Sequence, residues 1–262
     1  MTRHHVEFEC DGDKLIGTID GGTEDTGLLI VSGGNEIRSG AFSGQAALAA
    51  VINAVGYPVF RFDRRGVGDS EGENLGFRRA GRDIECALDA FRRRAPHLNR
   101  IVAFGNCDAA SSLMLSGGSG CDGLVLSNPW TVEEDEDPSA GMAMTPEMIT
   151  ARYWSKLRDP REMLRLLRGG VNLKKLSRGL LAATRPATPK PALAEEMRTG
   201  LDAFEGPVRI LIATADRTAR VFESNWQKDD LRILRCEGAG HAYVEQAHRE
   251  WLEKQVLSAL RD

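Results

Sequence analysis

Short, uniformly apolar runs alternate along this chain with stretches whose apolar residues recur at helical spacing. Leu28–Val31, Pro58–Phe62, Ile101–Phe104, Leu124–Leu126, Val208–Ile212 and Leu231–Leu234 are too short for helices and mostly lack the polar alternation of a half-exposed strand, so they predict buried strands. Leu48, Val51, Ile52 and Val55, then Ile84, Leu88 and Phe91, and last Leu252, Val256, Ala259 and Leu260 follow amphipathic helical spacing, with Gly56 closing the first helix. Strand and helix in alternation build a mostly parallel sheet covered by helices on both faces, an α/β fold. Two earlier segments, Val6–Cys10 and Leu15–Ile19, are joined by Asp11-Gly12-Asp13 and predict an antiparallel hairpin at the sheet edge.

The rhythm breaks between the strand near Ser127 and the one starting near Val208. Residues 131–206 show no clear strand but carry an acidic run from Glu133 to Asp137, a methionine-containing stretch from Met142 to Met148, and two helical patterns: one with Ile149, Tyr153, Trp154 and Leu157, the other with Met163, Leu164 and Leu167. Pro186, Pro189 and Pro191 mark a loop before the chain returns to the sheet. We read residues 1–130 and 207–262 as the core and 131–206 as an inserted helical cap. The methionine and aromatic stripe reads as packing before substrate contact, and the acidic run as a solvated face, since contiguous carboxylates do not converge on a metal.

Charge and composition narrow the function classes. The 262 residues carry 34 Lys and Arg against 38 Asp and Glu, spread along the chain for a net charge of -4, which speaks against a nucleic-acid binder. Cysteines at 10, 86, 107, 121 and 236 are odd in number and lack Cys-x-x-Cys spacing. That pattern predicts neither a disulfide framework nor a zinc site, and a reducing compartment. No apolar stretch reads as a secretion signal or a membrane span, so a soluble cytoplasmic protein without metal or organic cofactor is the expectation.

The chemistry centres on Gly105-Asn106-Cys107-Asp108-Ala109, directly after the run Ile101–Phe104. Small residues on both sides of one nucleophile, where a strand ends and a helix begins, are what a strained elbow requires, with Ala109 standing in for a second glycine. The competing reading of Cys107 is an inert core thiol. Of the five histidines, His4 and His5 begin the chain, His97 follows Pro96 at a helix end and His248 lies inside the last helix. His241 remains, in the loop Gly238-Ala239-Gly240-His241-Ala242 beyond a strand end, where parallel sheets present their chemistry. Asp216 follows the strand Val208–Ile212 and completes the order nucleophile, acid, histidine; its plainer role is a helix cap, and Asp135 or Asp137 are the alternative acids. For the oxyanion, the loop Ser32-Gly33-Gly34-Asn35 offers the N–H of Gly34 first and of Asn35 second, with the N–H of Asp108 as the other donor.

With these residues in place the chain resembles an α/β-hydrolase over nearly its whole length. Asp63-Arg64-Arg65-Gly66-Val67-Gly68-Asp69-Ser70 is similar to the Asp-x-Arg-Gly-x-Gly-x-Ser turn after the fourth strand of many members. Gly105–Ser111, Leu126-Ser127-Asn128-Pro129-Trp130, Asp216–Arg220 and the segment Tyr153–Leu173 resemble the cysteine-bearing hydrolases associated with the exosortase A system. Asn106 departs from that pattern, as does Asn35, where proline is more usual. The resemblance implies a bacterial setting of exopolysaccharide production and protein sorting. The implied activity is hydrolysis of an ester or thioester through a Cys107–His241–Asp216 triad and a thioacyl enzyme. Arg152, Lys156, Arg158, Arg161, Arg165 and Arg168 of the cap would meet coenzyme A phosphates or an acidic acyl carrier protein, or else form a solvated helix face. An acyltransferase using the same triad and a non-catalytic binding protein of this fold are the alternatives.

Overall fold

A chain of alternating buried strands and amphipathic helices must cover both faces of its sheet, and this one does. The structure, a computed structural model, describes residues 3–132, 192–227 and 229–262. The acidic run, the cap helices, their arginines and the alternative acids Asp135 and Asp137 lie outside the described residues.

Eight strands form one sheet: β1 (Arg3–Cys10), β2 (Asp13–Asp20), β3 (Thr26–Val31), β4 (Val59–Phe62), β5 (Arg100–Asn106), β6 (Gly123–Ser127), β7 (Val208–Ala213) and β8 (Ile233–Cys236). Their spatial order is β1-β2-β4-β3-β5-β6-β7-β8, parallel from β4 to β8 and antiparallel at the β1–β2 hairpin and where it meets β4. The hairpin closes through Asp11 and Gly12, at φ 53° and 95°, with Cys10 opposite Asp13. Two left-handed residues suit the twist of a two-residue turn, which explains the Asp-Gly pair.

The helices are α1 (Gly44–Ala54), α2 (Gly81–Arg94), α3 (Asp108–Leu115), α4 (Ala192–Asp202), α5 (Arg217–Asn225) and α6 (Gln246–Arg261). Alternate residues of β3 serve two cores: Leu29 and Val31 pack with Phe60, Phe62 and Phe91, while Leu28 and Ile30 pack with Leu48 and Ile52 of α1 and Val256 and Leu260 of α6. That double burial is why β3 reads as unbroken apolar sequence.

Three expectations shift. In α1, Leu48 and Ile52 are buried but Val51 and Val55 face outward, so the inner stripe runs instead through Gln45, Ala49 and Asn53. β8 begins at Ile233 rather than Leu231, which is 97% exposed, because Asp230 accepts hydrogen bonds from the Arg232 N–H and guanidinium and turns the chain just before the strand. Residues 192–202, which fall inside the segment 131–206 read as the insertion, form α4, whose Leu193, Met197 and Leu201 sit four apart in the main core. That spacing is one helical stripe, and the contacts are with the sheet domain.

A fourth expectation is overturned outright. Cys10 of β1 and Cys86 of α2 form a disulfide, with Cα atoms 5.6 Å apart and 76 residues between them in sequence. The odd cysteine count hid one bonded pair plus three free thiols. The composition therefore gives no argument for a reducing compartment.

Candidate active site

Strand register brings the loops that carry the chemistry to one edge. Val31 pairs with Gly105, Asn106 with Ser127, Ser127 with Leu211 and Ala213 with Cys236, so the segments following β3, β5, β6, β7 and β8 all emerge together. Cys107 stands between β5 and α3 at φ 61° and ψ −128°, a conformation costing an L-residue on the order of 1–3 kcal/mol. Its neighbours make that turn possible. A Cβ on Gly105 would lie 2.8 Å from the carbonyl carbon of Ala109, so glycine is required there, and Ala109 itself is fully buried. The Cys107 N–H donates to the Ser127 carbonyl at 2.9 Å, tying the elbow to the end of β6.

Asp216 and His241 meet as the chain order implies. The Asp216 Oδ2 lies 2.9 Å from His241 Nδ1 and also accepts the Ala219 N–H at 3.1 Å. The capping role and the orienting role therefore share one oxygen, because Asp216 is the N-cap of α5. Burial works to raise the Asp216 carboxyl, but the hydrogen bond and charge of His241 and the N–H groups of Ala219 and Thr218 outweigh it and hold the group below its ordinary value. On the other side, hydrogen bonding to Asp216, then to the Cys107 side chain, overcomes desolvation and pushes His241 up to about 10. Cys107, His241 and Asp216 are thus brought into one connected set.

The oxyanion loop is arranged differently from expectation. The Gly34 N–H is already taken: it donates to Asp108 Oδ1 at 2.6 Å. Arg64, 3% exposed, completes the clamp by donating Nη2 to the Gly34 carbonyl at 2.5 Å, with the same nitrogen 3.5 Å from Asp108 Oδ2. The crowding is close enough that a Cβ on Gly33 would fall 2.5 Å from Asp108 Oδ1. Among the described residues, the N–H groups of Asn35 and Asp108 have no hydrogen-bond acceptor. The second-choice donor and the elbow donor are therefore open, and the first choice is not.

Sequence reasoning missed the residues that fix the histidine loop. Asn128, fully buried at φ 44°, donates Nδ2 to Asn106 Oδ1 at 3.1 Å and to the His241 carbonyl at 3.4 Å, and accepts the Ala213 N–H at 2.8 Å. Asn106, noted only as a departure from the family pattern, donates to the same His241 carbonyl at 3.4 Å. Tyr243 is buried too, with its hydroxyl 3.1 Å from Ser127 Oγ, and desolvation raises it well above the usual phenol value. The available signals were the polar pair Ser127-Asn128 at the end of a buried strand and its place in the family-like segment Leu126–Trp130, neither of which points to the His241 carbonyl. Among the described residues no group of three or more His, Cys, Asp or Glu is placed to hold a metal, and no helix is long and apolar enough to cross a membrane.

No curated protein matches this chain. Among solved structures, an esterase from Pyrococcus furiosus superposes with a TM-score of 0.63 at 15% identity, covering 99% of this chain and 90% of its own. The alpha/beta hydrolase GrgF from Penicillium gives 0.63 at 15%, covering 100% and 98%. Est1E from Butyrivibrio proteoclasticus, solved with ferulic acid bound, gives 0.57 at 16%, covering 98% and 100%. At such identities the likeness is one of fold. The family model is more direct: it matches residues 28–254, a span that takes in the elbow, the Asp216 turn and the His241 loop, and on that match the chain belongs to the alpha/beta hydrolase family.

Proposed function

We propose that this protein is an ester or thioester hydrolase working through a Cys107–His241–Asp216 triad. The observation that carries the reading is the 2.9 Å contact between Asp216 and His241, on an imidazole whose other hydrogen-bond partner is the Cys107 side chain. In this mechanism the Cys107 thiolate adds to the substrate carbonyl, and the negative charge that develops on oxygen is met by the N–H groups of Asp108 and Asn35 at the start of α3 and in the β3 loop. Protonated His241 passes its proton to the departing oxygen or sulfur. The neutral ring then takes a proton from water, which adds to the thioacyl carbon; the carbon–sulfur bond breaks, releasing the acid and regenerating the thiolate. No step calls on a cofactor. The sequence resemblance supports a setting in exosortase-linked exopolysaccharide systems, with a carrier-bound acyl group as one form of thioester substrate.

The test is intact-mass analysis after rapid mixing with a panel of esters and thioesters, followed by peptide mapping. An acyl adduct on Cys107 that is lost in Cys107→Ala is the expected result. Turnover that survives Cys107→Ala, or an adduct at Cys121 or Cys236, would reject the assignment.

A further inference from the structure

The clamp on Gly34 grips a single peptide bond. The Glu36 N–H donates to the Gly33 carbonyl at 2.9 Å, closing a tight turn with the Gly34–Asn35 peptide at its centre. Gly34 has φ 52° and Asn35 lies outside the left-handed region, the φ signature of a type II′ turn. Turning the central peptide over gives type I′, which needs a left-handed residue in the Asn35 position, and asparagine accepts one. An Asn35 N–H offered to an oxyanion therefore needs something that keeps this peptide from turning.

Arg64 supplies it. Its Nη2 donates to the Gly34 carbonyl at 2.5 Å and lies 3.5 Å from Asp108 Oδ2, while Asp108 Oδ1 accepts the Gly34 N–H at 2.6 Å. A trans peptide is planar, and its C=O and N–H leave opposite edges, so a carbonyl drawn to Arg64 directs the Asn35 N–H away from the guanidinium. The Asn35 side chain is held in turn, its Oδ1 accepting from Asn74 Nδ2 at 2.8 Å. As packing alone Arg64 is expensive: the guanidinium is buried, its nearest carboxylate stands 3.5 Å away, and Nη1 has no hydrogen-bond partner among the described residues. We infer that Arg64 is a positioning residue for the reaction, holding the Gly34–Asn35 peptide so that its N–H is free for the oxyanion, with Asp108 as the counter-charge that keeps Arg64 in place. The inference rests on the triad reading above. A hydrogen bond from a cation also polarises the peptide it holds, which strengthens the N–H on the opposite edge as a donor.

An alkyl trifluoromethyl ketone reads the oxyanion directly. The Cys107 sulfur bonds to the carbonyl carbon and the carbon–oxygen π pair moves to oxygen, which stays an alkoxide or takes a proton from solvent. The fluorine resonance of the adduct reports that ionisation as pH is varied. Arg64→Met should raise the pH at which the oxygen ionises by about two units, equivalent to the 10²-fold loss from removing one oxyanion donor. Maximal acylation from propyl butyrate should fall by a similar factor with KM little changed. Iodoacetamide alkylation of Cys107 develops no oxyanion and should slow far less. Arg64→Lys keeps the cation without the planar fork, and should fall between parent and Arg64→Met. Asn35→Pro removes the donor itself, so in that background Arg64→Met should add nothing further, whereas a merely structural arginine would cost the same in both. If Arg64→Met does not fold, Arg64→Lys takes its place in the same cycle. An adduct ionisation unmoved by the Arg64 variants, equal losses with and without Asn35→Pro, or faster acylation once the clamp is cut would overturn the positioning role and leave the triad standing. Absence of any Cys107 adduct in the parent would overturn both.

Discussion

His241 is held between a carboxylate and a thiol, and those two partners decide when it carries a proton. With its value pushed up to about 10, chiefly by Asp216 and then by Cys107, the ring is an imidazolium through the neutral range. In the proposed mechanism this is the form that donates to the leaving group. The raised value also stabilises the fold: the contribution is complete below about 6.5, the ordinary histidine value, and is lost as pH rises through about 10. Asp216 runs the other way. Its lowered value adds stability above the ordinary carboxyl range, and that contribution disappears as pH falls through its folded value. For an unactivated alkyl ester, whose oxygen needs the proton, kcat/KM should fall at the alkaline end near 10. In Asp216→Asn the carboxylate that does most to hold the proton on the ring is gone, so that limb should move down toward the ordinary histidine range, and the rate should drop by about 10⁴-fold, the scale of an analogous triad. A pH–rate profile of both proteins decides it. An alkaline limb unmoved in Asp216→Asn would mean that another group sets the proton.

Asn128 gathers elements that the sequence keeps far apart. It joins the end of β6 to the elbow strand through Asn106, to β7 through the Ala213 N–H and to the His241 loop through its carbonyl. Asn128→Ala should strand the buried Ala213 N–H, costing about 1–3 kcal/mol in denaturant unfolding. It should also loosen His241 against Cys107, lowering the acylation rate and shifting its pH profile at temperatures where the variant is fully folded. Destabilisation with an unaltered pH profile would make Asn128 merely structural. The contrast with the triad explains what sequence alone can reveal. β3, β5, β6 and β7 were legible because burial on both faces leaves an almost uniformly apolar run. The turn at Cys107 was legible from its small neighbours, and the position of His241 from its loop. The Asp108 carboxylate on Gly34 was not, because it depends on the register that brings residues 74 apart into contact, and neither was the Asn128–His241 link across 113 residues. Leu231 misled because an apolar residue in a turn has the same letter as one in a strand.

Across the whole molecule, the same lesson applies to the cysteines. Their spacing showed no pair, yet topology lays α2 against the β1–β2 hairpin and brings Cys10 to Cys86. The bond closes a loop of 76 residues and fastens the antiparallel edge of the sheet, four places from β5 in strand order. Such a link acts mainly by limiting the unfolded chain, contributing about 2–4 kcal/mol, or roughly 5–15 °C in Tm for a chain of this size. Cys10→Ser with Cys86→Ser should therefore unfold earlier than the oxidised parent while acylating Cys107 at the parental rate. Thiol labelling checks the starting point. In native, unreduced protein Cys107 should react fastest, since burial pushes Cys121 up to about 12 and raises Cys236 as well, and Cys10 and Cys86 should stay silent until reductant is added. Labelling of Cys10 and Cys86 without reductant, or equal Tm values for the parent and the double variant, would show that the hairpin is held by packing alone.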